Sequence, residues 1–151
     1  MTTIAYKDGI IAADSRVMSN GWIAHDLAQK VFLRKNVFFA VSGDAVDGKA
    51  AIEAILKGEK YIPQDPQTSF TVMAVNMCGD IKVWCNGETH TEGELIPLKY
   101  WAIGSGRIAA MAAMEVGADA VWAVDIAKKY DPNTGGDVKA YAIDDLIKGV
   151  L

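Results

Sequence analysis

Histidine, cysteine and proline are scarce in this chain of 151 residues, which holds two, two and four of them. Two cysteines, Cys78 and Cys85, cannot build a disulfide framework or a four-ligand zinc site, and they read as reduced core or strand residues. His25 and His90 stand far apart with no carboxylates at metal-ligand spacing, so no metal is expected and both read as surface histidines. No apolar run approaches the roughly 18 to 20 residues of a membrane span, and Lys7 and Asp8 follow one short apolar stretch. That argues against an anchor or signal peptide and for the cytoplasm. Basic charge is not concentrated either: 15 Lys and Arg against 19 Asp and Glu leave a net charge of −4 with no cluster of one sign. Nucleic acid and anionic lipid are therefore not expected partners. Repeats, linkers and low-complexity tracts are lacking too, so a single domain over 1–151 is expected.

What is present is apolar content, 51% of the chain, enough for a well-buried core. Ile4 to Lys7 and Ile10 to Ala13 flank Asp8-Gly9, a hairpin turn signal. Val31 to Leu33 and Val37 to Val41 flank Arg34-Lys35-Asn36 as a second hairpin, whose later strand is apolar on both faces and so expects cover on both sides. Ala45 to Leu56 has helical spacing and ends before Gly58. After a break at 62–67, Phe70 to Val75 and Ile81 to Cys85 flank Cys78-Gly79-Asp80 as a third hairpin, and Leu95 to Ile103 reads as more strand. Past Gly104-Ser105-Gly106 come two helices, Ile108 to Val116 and Asp119 to Lys129, divided at Gly117. Met111, Met114, Trp122 and Ile126 read as packing residues on them. Asp131 to Gly136 must turn, and Val138 to Ile143 returns as a strand. Strands, two helices and strands again, with inner strands apolar on both faces, suggest two stacked sheets between helical layers.

Thr2 directly follows Met1. A threonine hydroxyl is a weak nucleophile unless a base takes its proton, and the residue's own α-amino group, with a pKa near about 8, suits neutral pH. Only a chain beginning at Thr2 offers that pair, and removal of Met1 ahead of a small residue would expose it.

The Thr2-Thr3 start, Gly9 to Arg16, Lys30-Val31-Phe32, Ser42 to Asp47, Gly104-Ser105-Gly106 and Asp131 with Thr134-Gly135-Gly136 occur in the order of one family. With these segments the chain resembles proteasome-type β-subunits, including the HslV peptidases, among the N-terminal nucleophile hydrolases. The resemblance implies an α+β fold, a four-layer αββα sandwich of two stacked antiparallel sheets. One short helix and a Pro-containing stretch stand between Gly43 and Ser105 where larger relatives have two long helices, so one helical layer should be reduced. It also implies roles. Asp14, by itself a strand-end turn aspartate, and Lys30, by itself a solvated strand-end lysine, would pair beside the Thr2 hydroxyl. Gly43 would aim a backbone N–H at the oxyanion. Ser105 and Asp131 would hold the α-amino group, helped by Thr134, which stands where the family has serine. Thr3 and Asp47 match positions read as structural. Val17, Ala28, Val41 and Ala45 match the first specificity pocket, and being apolar they imply a hydrophobic residue before the cleaved bond.

The activity so implied is a cofactor-free threonine-type endopeptidase acting on peptide or unfolded protein inside a homo-oligomeric ring, with an AAA+ unfoldase as a possible partner. Two alternatives stay open: an amidase for a small amide using the same nucleophile, and a non-catalytic ring subunit that keeps the fold.

Overall fold

The computed structural model describes residues 2–85 and 93–149. Met1 and His90 lie outside them. The Asp-Gly hairpin is as expected: β1 (Thr3–Lys7) and β2 (Ile10–Ala13) pair antiparallel, and Asp8 and Gly9 both take the left-handed conformation that suits a two-residue turn. A hairpin the pattern reading missed comes next, β3 (Val17–Ser19) and β4 (Trp22–His25) around Asn20-Gly21. The signal was there in Asn-Gly, but β4 is exposed along its length and shows no buried alternation to mark a strand. Then β5 (Val31–Arg34) and β6 (Val37–Gly43) pair, and α1 (Ala45–Leu56) starts behind Asp44, whose carboxylate accepts from the Asp47 N–H. The third hairpin is β7 (Phe70–Val75) and β8 (Ile81–Cys85).

The stretch read as more strand over 95–103 holds two strands in different sheets. β9 (Glu94–Ile96) pairs with β8, and β10 (Tyr100–Gly104) pairs with β1. Pro97 follows β9, lacks an N–H and ends the run, letting the chain cross between sheets. Next come α2 (Arg107–Glu115) and α3 (Ala120–Tyr130), the latter capped by Asp119. The final strand is shorter than expected, β11 (Lys139–Ala142), because Ile143 opens a short helix, α4 (Ile143–Ile147), that turns Ile143 and Leu146 into the core. Cys78 and Cys85 are both exposed, so the core reading fails for both, although Cys85 does close a strand.

Among the described residues two large antiparallel sheets result, ordered β10-β1-β2-β11 and β5-β6-β7-β8-β9, beside the separate two-stranded β3-β4 sheet. Strand alternation decides the layers. From β1 and β2, Ile4, Tyr6 and Ile11 meet Phe38, Met73 and Ile81 between the sheets. On the opposite face of the same strands Ala5 and Ala12, with Ala102, are small enough for α2 and α3 to sit close over them. In β6, Phe39 and Val41 point the other way from Phe38 and Ala40, onto α1. The order is therefore αββα, with two helices over one sheet and α1 alone over the other, which is the reduced layer expected.

Candidate active site

Thr2 sits just ahead of β1, where three chain ends meet: the end of β2 at Asp14, the end of β10 at Gly104 and Ser105, and the end of α3 at Asp131. The β1–β10 register, Thr3 opposite Gly104, sets the closeness. Gly104 has φ +99, and a Cβ there would lie 2.0 Å from the Thr2 carbonyl oxygen, so glycine alone allows the approach.

The Thr2 hydroxyl lies in a charged network. Its Oγ1 donates to Asp14 Oδ1 at 2.6 Å and accepts from Lys30 Nζ. Lys30, immediately before β5, spends its other two N–H bonds on Asp14 Oδ1 at 2.8 Å and the Arg16 carbonyl at 2.7 Å, so all three ammonium donors are used. Asp14 is buried and fully engaged as well: Oδ1 also accepts from the Thr3 N–H at 3.1 Å, and Oδ2 from the N–H groups of Gly135 at 3.0 Å and Arg16 at 3.4 Å. Burial pushes the Lys30 ammonium below its usual range, and the Asp14 carboxylate opposes that shift.

A second network holds the Thr2 nitrogen. Ser105 Oγ accepts from Thr2 N at 3.1 Å and lies 2.5 Å from Asp131 Oδ2. Since a serine has one proton and a carboxylate only accepts, that proton goes to Asp131, leaving the Ser105 lone pairs toward Thr2 N. Thr134 Oγ1 likewise donates to Asp131 Oδ2 at 2.6 Å, which makes Thr3 Oγ1, 2.7 Å away, the donor to Thr134. The methyl that distinguishes Thr134 from serine does not displace these contacts. Burial raises the Asp131 pKa, but the hydroxyls of Ser105 and Thr134 and the Asn133 N–H outweigh it, and the carboxyl ends below its usual range.

Of the expected site residues, Thr2, Asp14 and Lys30 form one hydrogen-bonded cluster, and Ser105, Asp131 and Thr134 form the other, both meeting at Thr2. Gly43 closes β6 with φ +88, packed on the Ser69 carbonyl. It lines a cavity of about 300 Å³ together with Thr2, Lys30 and all four of Val17, Ala28, Val41 and Ala45. Thr3 and Asp47 make the structural contacts read for them: Thr3 bonds to Thr134, and Asp47 accepts from Tyr61 Oη, pushing that phenol up to about 12. Four participants were missed. The Arg16 carbonyl and the Gly135 N–H are backbone groups, which carry no side-chain signal. Lys49 and His25 also line the cavity, and Lys49 had a signal, since Ala45 and Lys49 are four apart on α1 and share a face.

No protein-family model and no curated protein matches this chain. Solved structures do. HslV from Trypanosoma brucei aligns with a TM-score of 0.72 at 15% identity, covering 93% of this chain and 98% of its own. BPH of Thiobacillus denitrificans aligns at 0.64 with 22% identity, over 93% and 95% of the two chains. The same protein in complex with epoxomicin aligns at 0.65 with 19% identity, over 93% and 96%. The fold is thus of the HslV and proteasome β type.

Proposed function

We propose that the chain is a threonine-type endopeptidase that works once Met1 is removed and the Thr2 nitrogen is a free amine. The observation that carries this reading is the double hold on one residue: the Thr2 hydroxyl beside Lys30 and Asp14, and the Thr2 nitrogen on Ser105. In the reaction the amine takes the hydroxyl proton and Oγ1 attacks the scissile carbonyl carbon. The carbonyl electron pair moves to oxygen, stabilised by the N–H of Gly43, and collapses back as the C–N bond breaks and the amine returns its proton to the leaving amine. Water then attacks the acyl-enzyme with the same amine as base, releasing the second product and Thr2. Lys30, a cation with every donor engaged, has no lone pair to act as base; it favours the developing negative charge on Oγ1, and Asp14 offsets the cost of burying it.

Six residues of two networks converging on Thr2 beside a cavity favour catalysis over a purely structural subunit, which has no use for a buried ammonium beside a hydroxyl. By likeness of fold the substrate is a peptide or an unfolded protein and the enzyme a single-domain subunit of a homo-oligomeric ring, acting in the cytoplasm and open to an AAA+ unfoldase. Exposed apolar side chains on the helical layer, Ile108, Trp122 and Tyr130, supply surface for such contacts. The test is intact mass before and after a peptide epoxyketone, a probe that bonds to both the hydroxyl and the amine of an N-terminal threonine. Loss of Met1 followed by one adduct is expected, with none in Thr2→Ala. A protein that keeps Met1 when active, or a Thr2→Ala variant that still cleaves peptides, overturns the proposal. Peptide and small-amide panels separate it from an amidase.

A further inference from the structure

The cavity beside Thr2 is more cationic than its four apolar residues suggest. Arg16, Lys30 and Lys49 all line it, and among the described residues no Asp or Glu does. Two of these cations are already matched, Arg16 by Asp26 at 3.0 Å and Lys30 by Asp14 at 2.8 Å. Lys49 differs. Its Nζ lies 5.4 Å from the centroid of the Phe32 ring, and among the described residues no carboxylate comes within ion-pair distance of it. The nearby acids on its own helix are engaged, Asp44 on the Asp47 N–H and Asp47 on Tyr61, while Glu53 pairs with Arg34.

The backbone is built to bring this lysine in. A Cβ on Gly48 would lie 2.1 Å from Val41 Cγ1, so the glycine lets α1 press onto β6 at the cavity wall. Phe32 follows Lys30 by two residues and faces the same way along β5, so its ring parks the Lys49 ammonium at the rim of the cavity that holds Thr2.

We infer that this cavity takes an acidic side chain, aspartate or glutamate, in the residue before the cleaved bond, with Lys49 as the specificity-determining partner of its carboxylate; this rests on the peptidase reading above. Val17, Ala28, Val41 and Ala45 then form a collar around the short aliphatic stem. A leucine would fill the same collar but cover Lys49 against water with nothing to pair it, whereas a glutamate brings the missing charge. A basic side chain would meet three cations and no carboxylate.

The experiment uses two peptide epoxyketones that differ only in carrying Glu or Leu next to the reactive ketone, with labelling rates of the full chain read by intact mass. The Glu probe is expected to label wild-type protein about tenfold faster than the Leu probe, a ratio that falls to about one or below in Lys49→Met. In Lys49→Glu the Glu probe should become the slower of the two. Faster labelling by the Leu probe in wild type, or a ratio unchanged in both variants, overturns the inference while leaving the nucleophile standing. No adduct from either probe overturns the peptidase reading, and this one with it.

Discussion

Asp14 holds Lys30 at 2.8 Å through the same carboxylate oxygen that receives the Thr2 hydroxyl at 2.6 Å. The pair is therefore both a stability element and the electrostatic setting of Thr2, and the two roles can be pulled apart.

Removing Asp14 leaves the Lys30 ammonium and the N–H groups of Thr3 and Gly135 without their acceptor inside the protein. Asp14→Ala should cost about 3–5 kcal/mol in denaturant unfolding. Lys30→Met keeps the aliphatic stem, and Asp14 retains its hydroxyl and backbone donors, so its stability cost should be the smaller of the two. Peptidase rates should nevertheless fall in both by about 10²–10³-fold. Equal stability losses, or near-normal rates in Lys30→Met, would contradict the division of roles.

Gly104→Ala places a methyl on the Thr2 carbonyl at φ +99, a backbone clash no side-chain rotation relieves. The variant should lose several kcal/mol and its epoxyketone adduct together. Gly9→Ala has a similar φ of +82 with no atom within 4 Å of the new Cβ. It should cost only about 1 kcal/mol and leave labelling intact. Thermal melts of the two side by side measure the close approach separately from the strain.

Thr134→Ser keeps the hydroxyl that bridges Thr3 and Asp131, and its labelling rate should stay near wild type. Thr134→Val keeps the shape but strands the buried Thr3 hydroxyl, at a cost of about 1–3 kcal/mol. It also removes one of the donors that hold Asp131 in place for Ser105, so labelling should slow. Equal behaviour of the two variants would show that the hydroxyl bridge is idle.

Asp131 has a carboxyl pKa lowered below its ordinary 3.8. The folded state thus releases this proton more readily than the unfolded chain, so the group adds stability above pH 3.8 that is lost as pH falls through the lowered folded value. Asp131→Asn should flatten the acid limb of the stability curve in that window and leave the neutral-pH slope unchanged. Acid unfolding curves of the two proteins check it.

Much of the fold was legible because hairpins announce themselves locally: Asp8-Gly9 and Cys78-Gly79-Asp80 both turn where turn residues stand, and α1, α2 and α3 follow apolar periodicity to within a residue or two. The reading of strand over 95–103 missed the break after Ile96, where pattern has no leverage. An apolar run says that a segment is buried in sheet, and is silent on which sheet each half joins. The β3–β4 hairpin was missed for the opposite reason, since β4 is exposed and β3 only half-buried, too little to leave an alternating trace.

For the site, it was the ordered segments resembling one family that singled out Thr2, Asp14, Lys30, Ser105, Asp131 and Thr134; taken alone, Asp14 and Lys30 read as ordinary strand-end residues, because a side chain's type does not say what it will face. Only the tertiary structure decided that these six meet at one residue. Their contacts span up to 103 positions along the chain, and they close through sheet register, through a glycine that admits a carbonyl, and through backbone groups such as the Arg16 carbonyl and the Gly135 N–H that every residue possesses. The charge of the neighbouring cavity belongs to the same class. Lys49 is one lysine among many in the sequence, and what sets it apart is a helix pressed onto β6 at Gly48 and the lack of any described carboxylate within ion-pair distance, both properties of packing and not of composition.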